Sequence, residues 1–129
     1  LSGADVVAWE VDRLALAGLT RAAEEQGVTV QTAPLNIHRA SPRLGEALEE
    51  AAPGAILADP PRSGLGGFID VLGSTALRPA ILYVSCSAEP FAGDIGRLVA
   101  LGYRVETVLG IDQFPHTPHG EWVGVLRQG

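Results

Sequence analysis

The chain of 129 residues holds a single cysteine, Cys86, the side chain best suited to nucleophilic chemistry. Residues 81–85 before it form an apolar run rich in β-formers, which predicts a buried strand. Ser87 follows as a predicted N-cap, with apolar residues at helical spacing after it. Cys86 is therefore predicted between a strand's carboxyl end and a helix N-terminus, where ligands bind in open α/β sheets and a thiolate is favoured. By position alone, a small buried core residue is the commoner outcome.

Three carboxylates stand at the ends of predicted strands. Glu10 closes the apolar run 4–9, Asp59 closes residues 55–58, and Glu121 precedes residues 122–126. A carboxylate in such a place can accept hydrogen bonds from a ligand or act as a general base. Without further context, Asp59 is equally a turn or cap residue and Glu121 an exposed charge at the start of an edge strand.

The elements that must position these groups follow from periodicity and capping signals. Asp12 is a predicted N-cap and Gly27 a predicted stop for a helix, and the pair Ser41-Pro42 predicts the start of another. The predicted helices are 12–26, 41–51, 68–72 and 87–101, and the predicted strands are 4–9, 28–32, 55–59, 81–86, 103–111 and 122–126. The last two strands are too close in sequence for a parallel crossover. The order predicts one α/β domain, residues 1–129, with a mostly parallel sheet and a C-terminal antiparallel strand pair.

Composition limits the class of protein. Hydrophobic residues make up 47% of the chain and charged residues 19%, which predicts a compact fold rather than disorder. The net charge of −6, with nine arginines and no lysine, argues against a free-standing nucleic-acid binder unless a local arginine patch or a basic domain outweighs it. A lone cysteine, no membrane-length apolar run and no signal-peptide pattern predict a cytoplasmic protein without a membrane partner.

The order of elements resembles the class I methyltransferase fold, whose seven strands are arranged 3-2-1-4-5-7-6. On this correspondence, Glu10 ends the second strand, Asp59 the fourth and Cys86 the fifth. The first, central strand and its glycine-rich turn have no counterpart, so the resemblance implies an N-terminally truncated catalytic domain that binds its cofactor weakly if at all. We expect the strands on either side of the gap either to pair directly or to pair with another chain as a homo-oligomer.

Three motifs narrow the resemblance to a family. Residues 59–65 (Asp-Pro-Pro-Arg-Ser-Gly-Leu), 83–86 (Tyr-Val-Ser-Cys) and 112–121 (Asp-Gln-Phe-Pro-His-Thr-Pro-His-Gly-Glu) resemble the signature segments of RNA uracil-5 methyltransferases, which form 5-methyluridine in tRNA or rRNA. The motifs occur in the family's order and cover the chain from about residue 55 to its end. Two features depart from the family: Ser87-Ala88 stands where Asn-Pro usually follows the cysteine, and Gly120 replaces a larger residue.

The resemblance implies S-adenosylmethionine as the methyl donor and tRNA or rRNA as the partner. It makes Cys86 the nucleophile that adds to carbon 6 of uracil and Glu121 the base that removes the proton from carbon 5. We expect these two side chains to line one cleft together with Asp59. The further implied contacts are Asp59, Pro60, Arg62, Phe114 and His116 with the substrate, and Glu10, Asn36 and Asp59 with the cofactor.

Alternatives of other kinds remain open. Methylation of another base atom, such as carbon 5 of cytosine, is disfavoured because Arg62 stands where that family typically has a second cysteine. A non-catalytic RNA- or cofactor-binding relic is compatible with the missing strand and the altered Ser87. A cysteine hydrolase using His116 or His119 leaves the Asp-Pro-Pro motif without a role. A zinc site at these histidines is not predicted, because a single cysteine and no further ligand cluster accompany them, and we interpret both as pocket residues.

Overall fold

The structure, a computed structural model, describes residues 3–129. The chain divides into two compact units, of which the first ends at Ile37 and the second comprises residues 38–129. Each unit has its own sheet. That the 129 residues form one domain stays a prediction. Within residues 3–129, every helix is too short or too polar to traverse a lipid bilayer.

The first unit is a β-α-β motif of β1 (Val6–Trp9), α1 (Arg13–Glu25) and β2 (Val30–Ala33). The two strands pair in parallel, with Val6 opposite Val30. Asp12 begins α1 as predicted, because its carboxylate Oδ1 accepts hydrogen bonds from the backbone N–H groups of Leu14 at 2.8 Å and Ala15 at 3.1 Å.

The end of α1 explains why β2 begins later than the sequence predicted. Gly27 has a φ of +65°, its N–H donates to the carbonyl of Glu24, and the N–H of Val28 donates to the carbonyl of Ala23. This is the hydrogen-bond pattern of a Schellman cap. Because Val28 is part of the cap, the strand begins at Val30.

The second unit is a four-stranded sheet with three helices. Its elements are α2 (Pro42–Ala51), β3 (Ala55–Ala58), α3 (Gly67–Gly73), β4 (Ala80–Ser85), α4 (Ala88–Ala100), β5 (Tyr103–Ile111) and β6 (Glu121–Gln128). The strand order is β3-β4-β6-β5, with β3 and β4 parallel and β6 antiparallel to both of its neighbours. The predicted C-terminal antiparallel pair is therefore confirmed.

The single sheet expected from the sequence is two sheets. The order β1-β2 in one and β3-β4-β6-β5 in the other matches the predicted strand order on either side of the missing strand. Direct pairing of β1 with β3, one of the two expected outcomes, stays a prediction.

The hydrophobic core of the second unit covers one face of its sheet. Alternate residues of β4, Ile81, Tyr83 and Ser85, are at most 1% exposed, whereas Leu82 on the other face is 40% exposed. Leu57 of β3, which lies opposite Leu82, is 71% exposed. The buried leucines that complete this core are Leu44, Leu48, Leu65, Leu72, Leu98 and Leu126.

Candidate active site

Cys86 is the first residue after β4 and lies just before α4, as predicted. Its side chain is partly exposed. The buried hydroxyl of Ser85 holds the turn, because its Oγ donates to the carbonyl of Ser87 at 3.1 Å and accepts from the N–H of Ser87 at 3.2 Å. Ser87 occupies the N-cap position of α4, but its side chain makes no capping hydrogen bond. The turn is thus fixed from the strand side rather than by the predicted cap.

The pairing of β4 with β6 brings Glu121 to Cys86. The last pair of this antiparallel ladder is Ser85 opposite Trp122, and Cys86 and Glu121 are the residues directly beyond that pair. Glu121 is half-buried at the start of β6, where it also pairs with Ile111 of β5. The end of the ladder therefore brings Cys86 and Glu121 to the same end of the sheet.

A cleft of about 560 Å³ opens at this end of the sheet, and both Cys86 and Glu121 line it. Arg62, Asp112 and His119 contribute its other ionisable side chains. A smaller pocket of about 290 Å³ is lined by Cys86, Glu121, Arg62 and His119 as well, and also by Phe114. Cys86 and Glu121 thus line one cleft, as expected, whereas their roles as nucleophile and base stay predictions.

Arg62 reaches the cleft from a tight turn after β3. The N–H of Gly64 donates to the carbonyl of Pro61 at 2.9 Å, which places Arg62 at the corner of the turn. Its Nη2 lies 3.1 Å from Nδ1 of His119. Because a guanidinium group has only donors, Nδ1 of His119 is the acceptor in this contact. The pair sets a guanidinium cation and an imidazole ring at the cleft that Cys86 and Glu121 line.

Asp59 does not line the cleft, so the expectation that it shares the cleft with Cys86 and Glu121 is wrong. In the parallel ladder Ala58 lies opposite Tyr83, which puts Asp59 level with Val84, two residues short of Cys86. Because a strand rises about 3.3 Å per residue, two residues correspond to an offset of about 7 Å along the strand direction. Asp59 is exposed and Pro60 beside it is buried, and neither is among the lining residues.

His116 also lies outside the residues that line the cleft, contrary to its interpretation as a pocket residue. The N–H and the hydroxyl of Thr117 both donate to the carbonyl of Phe114, at 3.1 Å and 2.7 Å. This turn sets His116 at its corner with a φ of +67°, in the left-handed region. The turn presents Phe114, Thr117 and His119 to the pocket and leaves His116 exposed.

The two residues expected only at the cofactor, Glu10 and Asn36, both lie in the first unit. Glu10 follows β1, and its Oε1 accepts hydrogen bonds from the N–H groups of Val11 at 2.7 Å and Asp12 at 2.9 Å. Asn36 is exposed and follows β2, the parallel neighbour of β1. Both therefore stand beyond the carboxyl ends of paired strands, where ligands bind in open α/β sheets.

Sequence reasoning missed two buried polar residues near the site, Ser85 and Asp94. A signal for Asp94 was present, because it lies three residues after Phe91 and four before Leu98, on the helix face that both apolar residues bury. A charge within such a stripe indicates a specific partner. In the part of the chain that the structure describes, no three His, Cys, Asp or Glu side chains are grouped closely enough to hold a metal ion.

Solved structures of low sequence identity share the fold. A putative methyltransferase from Thermoplasma acidophilum superposes with a TM-score of 0.64 at 12% identity, covering 96% of this chain and 57% of that one. A crystal structure of Pyrococcus abyssi tRNA (uracil-54, C5)-methyltransferase in complex with S-adenosyl-L-homocysteine gives a TM-score of 0.76 at 29% identity. It covers 96% of this chain and 28% of that one. The fold is that of class I methyltransferases, as expected.

The family follows from the sequence comparisons. The family model of tRNA (uracil-5-)-methyltransferases matches residues 5–128, and the chain belongs to this family. An uncharacterized RNA methyltransferase of Bdellovibrio bacteriovorus is 37% identical over 99% of this chain. A 23S rRNA (uracil(747)-C(5))-methyltransferase of Pyrococcus furiosus is 42% identical over 57% of it. The chain spans about a third of the length of the Bdellovibrio relative and 18% of the Pyrococcus furiosus one.

Proposed function

We propose that the protein methylates carbon 5 of a uridine in tRNA or rRNA, with Cys86 as the nucleophile and Glu121 as the base. One observation carries the proposal: Cys86 and Glu121 lie directly beyond the last pair of the β4–β6 ladder and line one cleft. Two groups that act on adjacent atoms of one ring must converge in this way. Two relatives are named as methyltransferases of uracil in 23S rRNA and in tRNA, and these names support a uridine of RNA as the substrate.

The chemistry needs both groups because carbon 5 of uracil is a weak nucleophile. The thiolate of Cys86 adds to carbon 6, and the electrons of the double bond move toward the carbonyl at carbon 4, so that carbon 5 gains enolate character. S-adenosylmethionine would supply the methyl group that carbon 5 accepts. Glu121 then takes the proton from carbon 5, the double bond re-forms, and Cys86 leaves as the thiolate.

Arg62 and Phe114 are suited to hold the RNA substrate at this cleft. A base must leave its stack to reach Cys86, and an exposed aromatic face can receive it. The ring of Phe114 is 55% exposed and lines the smaller pocket with Cys86. Arg62 supplies the positive charge that phosphate or uracil oxygens require.

The first unit carries groups that fit S-adenosylmethionine. The carboxylate of Glu10 is oriented by two backbone N–H groups on a single oxygen, Oε1, and it is exposed. Such an anionic acceptor suits the hydroxyl groups of a ribose. Asn36 offers an amide of the kind that meets an adenine edge. Glu10 would hold the ribose and Asn36 the adenine.

The roles of the nucleophile and the base are tested by substitution in the protein expressed from its complete gene. We expect Cys86→Ser to abolish formation of 5-methyluridine, measured by mass spectrometry of digested RNA. Glu121→Gln should still add to carbon 6 and accept the methyl group but stall before elimination, so that a protein–RNA adduct accumulates with ordinary uridine. Glu89→Gln, which changes an exposed acid in the first turn of α4, is the matched control and should behave as wild type.

The outcomes separate the alternatives. Methylation by Cys86→Ser would rule out Cys86 as the nucleophile, and rapid turnover by Glu121→Gln would rule out Glu121 as the base. A wild-type protein that neither methylates RNA nor forms an adduct would indicate the non-catalytic relic.

A further inference from the structure

Asp94 is a carboxylate in the core of the second unit, only 6% exposed on α4. Its Oδ2 accepts hydrogen bonds from the hydroxyl of Tyr83 at 2.8 Å and from the backbone N–H of Leu65 at 2.7 Å. A guanidinium nitrogen of Arg97 lies 3.7 Å from Oδ1. A buried carboxylate is tolerated only when it has such partners. The position of Asp94 in the core therefore depends on these three contacts.

The bond to Leu65 reaches out of the core to the loop that follows β3. This loop approaches Asp94 so closely that a Cβ on Gly64 would overlap Oδ2. Gly64 also has a φ of +85°, which other residues rarely adopt. The chain therefore has the one residue type that lets the loop contact this carboxylate.

The anchored loop is the one that presents Arg62 to the cleft. Gly64, in contact with Asp94, closes the turn from Pro61, and Arg62 stands at its corner with Nη2 against His119. From Asp94 the connection thus runs through Leu65 and Gly64 to a side chain that lines the cleft with Cys86 and Glu121.

We infer that Asp94 is a positioning residue that fixes the Arg62–His119 pair at the mouth of the cleft and thereby sets its affinity for RNA. The inference on RNA rests on the proposed function, whereas the fixed position of the pair does not. Asp94 acts only through the loop and has no contact with the reacting atoms.

The first experiment reads the position of the pair without any reaction. Nitrogen-15 NMR of the chain reports the Nδ1 of His119, which is shifted by the bond from Arg62, and the amide of Leu65. We expect Asp94→Ala and Gly64→Ala to move both signals, and Asp94→Asn, which keeps one carbonyl oxygen, to restore them largely. Tyr83→Phe is the matched control, because it removes the other bond to the same oxygen and should leave the His119 signal in place.

The second experiment is a double-mutant cycle on methylation by the protein expressed from its complete gene. Asp94→Ala and Arg62→Ala should each raise KM for RNA about tenfold, the effect of losing one charged hydrogen bond, with a smaller change in kcat. The double variant should be no worse than Arg62→Ala alone, because both changes remove the same contact.

The outcomes are distinct. Additive increases in KM, or a His119 signal unmoved in Asp94→Ala and Gly64→Ala, would overturn the positioning role. If Asp94→Ala does not fold, Gly64→Ala makes the same test from the loop side with the core carboxylate intact. A wild-type protein that does not methylate RNA would contradict the proposed function. The NMR signals would still show whether Asp94 fixes the position of the Arg62–His119 pair.

Discussion

Next to Cys86, the hydroxyl of Ser85 holds the backbone of the turn between β4 and α4. Ser85 is 1% exposed and binds both the N–H and the carbonyl of Ser87 through one oxygen. The residue that the sequence suggested for this task, Ser87, makes no side-chain cap bond. The turn that positions Cys86 therefore depends on a buried residue that does not line the cleft.

Ser85→Ala should lower both stability and turnover, because it leaves the two backbone groups of Ser87 without their partner. We expect a loss of about 1–3 kcal/mol in the free energy of unfolding. Urea denaturation and the rate of methylation are the measurements. Ser87→Ala is the matched control and should cost little stability, since its hydroxyl caps nothing. Equal losses in the two variants would contradict the role given to Ser85.

The two tyrosines predict how stability responds to high pH. Burial, together with the bond to Asp94, raises the pKa of Tyr83 well above its usual value, and burial raises the pKa of Tyr103. In the unfolded chain each ionises near pH 10. A raised folded pKa gives stability that is complete below about pH 10 and is lost as the pH rises beyond it.

We therefore expect the urea midpoint to hold up to about pH 9 and to fall above about pH 10. In Tyr83→Phe the midpoint should be lower at neutral pH, because a buried bond to Asp94 is lost. Its further decline above about pH 10 should be shallower than in the wild type, with one ionising group fewer. A decline equally steep in both proteins would count against this explanation.

Among the elements, the boundaries that could be predicted are those with a local chemical signal. The caps Asp12 and Ser41 begin helices where expected, and Gly27 ends one. The register of β4 against β6 has no such signal, because it depends on strands that lie far apart in sequence. The motifs predicted that Cys86 and Glu121 converge, but the ladder that joins them, and the exclusion of Asp59, required the structure.

The contact between β6 and α4 gives a prediction at this scale. A Cβ on Gly124 would lie 3.1 Å from Cζ of Phe91 and 3.3 Å from Cδ1 of Ile95. The Phe91 ring has little freedom to yield, since it packs between Tyr83 and Trp122 with centroids 5.1 Å and 6.4 Å away.

Gly124→Ala should therefore destabilise the protein by about 1–3 kcal/mol through overpacking. Thermal unfolding measures the loss. Gly96→Ala, at a helical position of α4 where a Cβ meets nothing within 4 Å, is the control and should be neutral or stabilising. If the Gly124→Ala protein were as stable as the Gly96→Ala protein, α4 could move away from β6 without a loss in the free energy of unfolding.

At the scale of the whole molecule, the outer edge of β3 is the surface through which we expect two chains to associate. Within residues 38–129 no strand pairs with that edge, and Leu57 on β3 is 71% exposed. Unpaired edges with apolar side chains promote pairing between chains. We expect self-association in sedimentation velocity, reduced in Leu57→Lys and unchanged in Val99→Lys, which alters an exposed apolar residue of α4. A monomer at every concentration tested would contradict this.

Cofactor binding by the isolated 129 residues is a second property of the whole chain. The chain spans about a third of the Bdellovibrio relative, and the described residues lack a counterpart of the first strand of the methyltransferase sheet. We expect S-adenosylmethionine to bind weakly or not at all in calorimetric titration. Tight binding at one site per chain would show that these residues alone complete the pocket.

The most direct test of the proposed reaction is to determine which residue of the protein becomes covalently attached to RNA. Fluorine at carbon 5 cannot leave as a proton, so RNA containing 5-fluorouridine should trap the adduct when S-adenosylmethionine is present. We expect tandem mass spectrometry of the protein expressed from its complete gene to locate the nucleotide on Cys86, with no adduct in Cys86→Ala. An adduct that persists in Cys86→Ala, or methylation of uridine without any trapped adduct, would contradict the role of Cys86 as the nucleophile.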